Sequence, residues 1–432
     1  MKCHYACNSA EHLIARRSFL GGAAAGLTAL STHWGLDGLM HSAAAAELKA
    51  QSKQILVVYL SGGLSQLESW DPKPNTDTGG PFRKIPTSVP GLHISELLPF
   101  TAQQMHHLAV VRSVNTKNNE HDLGRYMMTT GRRKDPAAEY PHLGAVTARM
   151  LGAEKSPLPG HIQIVPSGSL SRSSNDAAYL GAKYSSIKLV DGEAPQYTTR
   201  LASVSPQVDE RRNSFRMHVN DRFAGRRRTA ETDAYTYSYD QALQLMERRE
   251  VFDISKEPAK DHDRYGRHDF GRHCLQARRL LENGVPFVQV AHSNYDTHFE
   301  NFDFMIEQLG EFDGTFACLV NDMVERGLFE RTLLVVMSEF GRTPTINSNF
   351  GRDHWGSAFS VVMGGCGIQK AAVLGKTNAN GTAVAEHEVD HGQLFHTYLR
   401  AVGVDPTSQI NVGGRDMPLA DPAKSSIKEL LT

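Results

Sequence analysis

Apolar residues along the chain fall into two alternating rhythms. Short runs rich in Val, Ile and Leu read as buried strands: Ile55–Leu60, Leu108–Val111, Ile162–Val165, Phe287–Ala291, Leu333–Met337 and Phe359–Met363. Between them lie stretches with helical spacing, such as Tyr140–Leu151, Phe302–Arg326 and Gly392–Val402. In the second of these, Phe302, Met305, Ile306, Leu309, Phe312 and Phe316 recur at helical intervals, which predicts a helix face turned to the core. Strands alternating with helices predict an α/β fold, a mostly parallel central sheet with helices on both faces. No internal repeat is visible. From about 166 to 262 the rhythm breaks, and this stretch reads as a helical insertion or cap within a domain spanning residues 50–432. Its basic clusters, Arg211-Arg212 and Arg226-Arg227-Arg228, could touch an anionic substrate, but the acids interleaved with them give the pattern of a solvated helical face.

The start of the chain has another character. Arg16-Arg17-Ser18-Phe19-Leu20 sets two arginines before Gly21–Leu30, which is mostly Gly, Ala and Leu and too short to span a bilayer. Ser42-Ala43-Ala44-Ala45-Ala46 then supplies small residues that suit signal peptidase. This order reads as a twin-arginine signal peptide over residues 1–46. It predicts a protein that folds first, engages the twin-arginine export machinery, and is then periplasmic or secreted. Composition changes the picture little. With 40% hydrophobic and 22% charged residues the chain is an ordinary soluble globular protein. A net charge of −1 gives no global field toward nucleic acid or an anionic membrane. No later apolar run is long enough for a transmembrane span. Cys3 and Cys7 fall in the signal, and Cys274, Cys318 and Cys366 are too widely spaced for a disulfide framework or zinc ribbon; they read as buried small side chains.

Candidate chemistry gathers at predicted strand ends, where open α/β sheets place their functional residues. The first strand leads into Ser61-Gly62-Gly63, a tight turn whose backbone can approach an anion. After Phe287–Ala291 comes Asp296-Thr297-His298, a carboxylate and an imidazole able to reach one metal ion, or else a helix cap beside a surface histidine. After Leu333–Met337 comes Ser338-Glu339-Phe340-Gly341-Arg342. A charged Glu339 ending an apolar strand must be paired, protonated or metal-bound, and Arg342 is one available partner. Asp353-His354, in a glycine-flanked loop before Phe359–Met363, is a further metal-type pair. Finally, helical patterning from Asp122 onward puts His121 near a helix N-terminus, whose field favours anions, with Arg125 one turn later.

With these residues laid out, the chain resembles the sulfatase-like family called domain of unknown function 1501. The resemblance runs from the Arg-Arg-Ser-Phe-Leu signal through Leu60-Ser61-Gly62-Gly63, Thr130-Gly131-Arg132, Phe270-Gly271, Ala277-Arg278-Arg279-Leu280 and Asp296-Thr297-His298. It continues through Ser338-Glu339-Phe340-Gly341-Arg342-Thr343-Pro344, its most specific part, to Asp353-His354. That family is similar to the alkaline phosphatase and sulfatase superfamily, whose members hydrolyse phosphate or sulfate esters with bound metal. The resemblance implies an alkaline phosphatase/sulfatase-like fold. It also implies metal ligation by Asp296, His298, Glu339, Asp353 and His354, and puts Asp390 at the opening of the helix near the C-terminus. Two departures stand out. The superfamily places a metal-binding Asp after its first strand, where this chain has Ser61-Gly62. Sulfatases carry Cys-x-Pro-x-Arg about ten residues before a Thr-Gly. Here His121 and Arg125 occupy the Cys and Arg positions, and no Cys lies between Cys7 and Cys274, so formylglycine chemistry is excluded.

The expectation is therefore an exported hydrolase of phosphate or sulfate esters, or of a related anionic substrate such as a sulfated or phosphorylated polysaccharide. It depends on a divalent ion (zinc, manganese, calcium or magnesium). In it Arg125 holds the anion, Ser61, Gly62, Gly63 and Arg342 contact substrate, and His121 is base, nucleophile or metal ligand. The competing expectation is a non-catalytic envelope protein that uses the same cleft to bind a polysaccharide or partner.

Overall fold

The run Gln54–Leu60 (β1) is buried along its whole length, because parallel strands are covered on both faces. Its alternate residues serve two cores. Leu56, Val58 and Leu60 pack with Phe270, Leu280, Phe312 and Phe316 on one side. Ile55, Val57 and Tyr59 pack with Leu143, Val146, Leu394 and Leu399 on the other. The remaining strands of its sheet are Leu108–Val114 (β2), His161–Val165 (β3), Ile187–Val190 (β4), Phe287–His292 (β5), Thr332–Met337 (β6), Phe359–Gly365 (β7) and Val373–Leu374 (β8). Their spatial order is β8-β2-β7-β6-β1-β5-β3-β4. The register sets Ile55 between Phe287 and Leu333. Every pairing is parallel except the two made by β7, which runs antiparallel to both β2 and β6. The principal helices are His121–Thr130 (α1), Leu143–Leu151 (α2), Pro206–Arg227 (α3), Ala230–Glu247 (α4), Asp269–Glu282 (α5), Asn301–Glu325 (α6) and His391–Ala401 (α7).

This computed structural model describes residues 53–432 apart from 154, 155, 157, 168–174, 194–198, 228 and 229. The twin-arginine segment, residues 1–46, and Arg228 of the second basic cluster lie outside the described residues. No described helix is long and apolar enough to cross a membrane.

The six expected strands and the mostly parallel sheet are present, with three corrections. Short edge strands β4 and β8 were not legible. Since β4 lies at residues 187–190, the expected insertion contributes a strand to the main sheet as well as helices. Ile306 is 52% exposed, while Met305, Leu309, Phe312 and Phe316 are fully buried. One residue past Met305 is a turn of about 100° off the buried stripe. Cys318 is only partly buried, unlike Cys274 and Cys366. Asp390 opens α7 through a capping box with Gln393 and holds Lys424 at 2.5 Å.

Candidate metal centre

The carboxyl ends of β1, β2, β5 and β6 share one edge of the sheet, and the antiparallel β7 brings its amino end to that same edge. This is why Asp353-His354, which precedes a strand, meets residues that follow strands. After β1 the chain turns at Gly62 and Gly63, both with positive φ. A Cβ on Gly62 would lie 2.5 Å from the Asp296 nitrogen, so only glycine lets the two loops touch. After β6, a two-residue ladder pairs His354 with Arg342 and leads through Trp355 into β7.

Three imidazoles and one carboxylate converge here. His121 Nε2 lies 3.3 Å from Asp296 Oδ2. His354 Nε2 and His298 Nε2 each lie 3.1 Å from Asp296 Oδ1, and 3.0 Å from one another. His121, Asp296 and His354 offer ligand atoms within 4.8 Å of one another. Behind the rings, each Nδ1 has its own acceptor. His121 Nδ1 donates to Glu339 Oε1 (2.8 Å), His298 Nδ1 to Asp353 Oδ1 (2.7 Å) and His354 Nδ1 to the Asn119 carbonyl (2.8 Å). In its neutral form, with Nδ1 carrying the proton, such a ring keeps its lone pair on Nε2, and the Nε2 atoms of His298 and His354 face one another. His121 Nε2 is buried without a hydrogen-bond partner. Lone pairs facing at 3.0 Å repel unless a cation or a proton lies between them. The donor set therefore fits a divalent ion, with each histidine oriented by a carboxylate or carbonyl behind it.

The charges agree with this arrangement. Burial alone would raise the Asp296 pKa, but Arg342 and His354 outweigh it and bring it down to about 2, so the group is a carboxylate at neutral pH. Burial likewise works against the Glu339 carboxylate, yet the hydrogen bonds from His121 and the Gly62 N–H hold its pKa below the usual range. Glu339 in turn raises the pKa of His121 through their hydrogen bond, while burial lowers that of His354.

Several expected roles change. Glu339 is fully buried and reaches His121 and Gly62, so it stands behind an imidazole where a direct ligand was expected. Asp353 does the same for His298. His121 joins the cluster itself. Arg342, expected to face substrate, is fully buried: it donates to the carbonyls of Gly62, Gly63 and Arg352 and to Asp296, and its ion-pair partner is Asp296 instead of Glu339. The Gly62 N–H is taken by Glu339 and both glycine carbonyls by Arg342, so the turn braces the loops around it. Asp296 caps no helix, since α6 starts at Asn301.

Two further residues escaped the sequence reading. Arg352 and Glu68 form a fully buried ion pair at 2.8 Å, and the Arg352 N–H donates to the Thr297 carbonyl, tying the two ligand loops together. Arg352 directly precedes the Asp353-His354 pair in the chain.

Beside the cluster lies a cleft of about 680 Å³ lined by Ser61, Arg125, Tyr59, Tyr126, Gln163 and Gln289 among others. Arg125 enters it from the turn of α1 after His121. The buried Tyr59 hydroxyl has its pKa raised first by burial and then by Glu339.

No curated protein matches the chain in sequence. The profile of the family described as "Protein of unknown function (DUF1501)" matches residues 52–431. Among solved structures, the chain is similar to PsFucS1 sulfatase from Pseudoalteromonas sp. (13% identity, 89% of this chain and 75% of that one, TM-score 0.40). It is also similar to the lipoteichoic acid synthase LtaP from Listeria monocytogenes (6%, 86% and 75%, 0.39). A third likeness is to alkaline phosphatase from the Antarctic bacterium TAB5 (12%, 82% and 99%, 0.37).

Proposed function

This chain belongs to the family described as "Protein of unknown function (DUF1501)", and we propose that it is an exported, metal-dependent hydrolase of phosphate or sulfate esters. The observation that carries the reading is the inward convergence of three Nε2 atoms on Asp296 while each Nδ1 is held from behind. His121, Asp296 and His354 would hold the ion, with His298 beside them, and this imidazole-rich set suits zinc better than calcium or magnesium. A divalent ion there supplies Lewis-acid polarisation of the ester and lowers the pKa of attacking water. Glu339 and Asp353 fix the tautomer and aim of their imidazoles. Arg125 offers its guanidinium fork to the ester oxygens from the cleft wall. His121 has one nitrogen on Glu339 and the other in the cluster, so it serves as ligand and leaves the attack to water. The group bearing the ester, a sulfated or phosphorylated sugar in this reading, lies in the cleft beyond Ser61.

One observation favours the non-catalytic alternative: Arg342 Nη2 sits 2.5 Å from Asp296 Oδ1, so a cation already neutralises that carboxylate. Metal analysis of the purified protein separates the two readings. The hydrolase should carry stoichiometric metal, cleave members of an aryl phosphate and aryl sulfate panel, and lose metal and activity together in His121→Ala and His354→Ala. A metal-free protein, unaffected by chelator and inert across the panel after metal addition, would establish the binding-protein reading.

A further inference from the structure

The helices α3 and α4 take no part in the metal centre, and α3 is assembled inside out. Its inner side is polar: Arg216 pairs with Asp240 of α4 at 3.3 Å and lies over the Tyr239 ring, and Asn220 Nδ2 donates to Thr236 Oγ1. Asp209 holds Arg200 at 3.3 Å, and Asn213 is half-buried. The exposed flank beside it carries Val208, Phe215, Val219 and Phe223, spaced seven, four and four residues apart, which is one stripe of a helix. All four are exposed, Phe215 to 69%. Of the fourteen large apolar side chains that stand exposed among the described residues, seven lie on these two helices. Folding in water drives such residues inward, so a stripe turned outward implies a partner.

The charges around the stripe identify that partner. At 3.6 residues per turn, Arg211 and Arg222 flank one side of it and Arg212 lies within its other margin, while Glu210 and Asp221 fall on the far side of the helix. These three arginines are exposed and carry no ion pair among the described residues. A second copy laid face to face would set these arginines against each other. An anionic bilayer surface instead matches both features, apolar side chains entering between headgroups and arginines beside the phosphates. We propose that the outer face of α3, a helix about 33 Å long, docks this protein on an anionic membrane. The chain's overall charge of −1 is no obstacle, because screening limits the attraction to charges within about a Debye length of this helix.

Co-sedimentation of the full chain tests this, using vesicles of phosphatidylcholine alone and vesicles with about one-third phosphatidylglycerol. The full chain should bind the anionic vesicles and lose about tenfold in affinity on neutral ones or at high salt. Phe215→Ser/Phe223→Ser and Arg211→Gln/Arg212→Gln/Arg222→Gln should each weaken binding about tenfold, with unchanged thermal unfolding because these side chains face solvent. Residues 1–51 are identical in every variant, so equal binding by wild type and both variants would assign the membrane contact elsewhere and overturn the proposal. So would absence of binding to either vesicle. A dimer in light scattering that Phe215→Ser/Phe223→Ser dissociates would overturn it in favour of a second copy.

Discussion

Removing the Glu68 carboxylate should destabilise this protein by about 3–5 kcal/mol, although Glu68 touches no group of the metal centre. Glu68 and Arg352 are both fully buried. The carboxylate accepts from Arg352 Nε at 3.1 Å, from Nη2 at 2.8 Å, and from Asn301 Nδ2 at 3.1 Å. In Glu68→Ala the guanidinium stays inside, held only by the carbonyls of Thr78, Thr343 and Pro344, with its charge uncompensated. An unpaired buried charge, rather than the lost attraction, is the source of the penalty. The compact unit Ser52–Thr432 has an unfolding entropy of about 0.8 kcal/mol/K at roughly 2.1 cal/mol/K per residue. The penalty then reads as a drop in Tm of about 4–6 °C. The exposed pair Lys117–Glu388, at 3.7 Å, supplies the contrast. Lys117→Ala should cost less than about 1 kcal/mol, because water and salt screen it. Differential scanning calorimetry measures both. Because Arg352 also ties Thr297 to the loop bearing Asp353 and His354, Glu68→Ala should carry less metal as well. A Glu68→Ala protein that melts no lower than Lys117→Ala would falsify the idea that this pair braces the site.

Gly62→Ala should be strongly destabilised, by about 1–3 kcal/mol from backbone strain alone, since φ is +115° and the new Cβ meets the Asp296 nitrogen at 2.5 Å; a urea midpoint like that of wild type would contradict the close approach. Asp353→Asn and Glu339→Gln keep the shape behind His298 and His121 but remove charge, so metal affinity should fall about 10–100-fold; unchanged affinity in a competitive chelator titration would leave both carboxylates without an orienting role. Burial pushes His142 down to about 3, and His273 and His391 to about 4. Free imidazoles protonate near 6.5, so below that pH the unfolded chain binds more protons and stability falls as pH drops toward about 4, by up to about 1.4 kcal/mol per pH unit for each histidine. His142→Gln should flatten part of this slope, and a wild-type urea midpoint that holds steady between about pH 7 and pH 5 would speak against three buried neutral histidines.

The sheet was legible because its central strands are buried on both faces and therefore read as continuous apolar runs. Its margins were not. The edge strands β4 and β8 have four and two residues and are partly exposed, so no burial pattern marks them. The direction of β7 was equally hidden, since an apolar run looks the same in either sense. That direction decides the site: had Phe359–Gly365 run parallel to its neighbours, Asp353 and His354 would lie at the opposite edge from Asp296.

The same reasoning explains why sequence could name residues that the fold brings together without showing which of them stands behind which. Residue type limits chemistry, and Asp, Glu and His at strand ends were enough to mark the cluster. Rank depends on reach, which is set by partners distant along the chain. Glu339 and His121 are 218 residues apart, and His354 and Asn119 are 235 apart. Glu339 sits two residues past the end of β6 and is fully buried at the sheet edge, its Oε1 fixed there by the Gly62 N–H. His121, at the first position of α1, hangs above it and is pressed outward against Phe340 and His354, with ring centroids 4.9 and 4.4 Å away. The carboxylate therefore falls behind and the imidazole in front, the reverse of what a motif reading assigns when it expects an acid at the end of a strand to bind metal directly. A Ser or Cys at position 121 would lack the second nitrogen needed to bridge Glu339 and Asp296. Histidine has both nitrogens, one 2.8 Å from Glu339 Oε1 and the other 3.3 Å from Asp296 Oδ2.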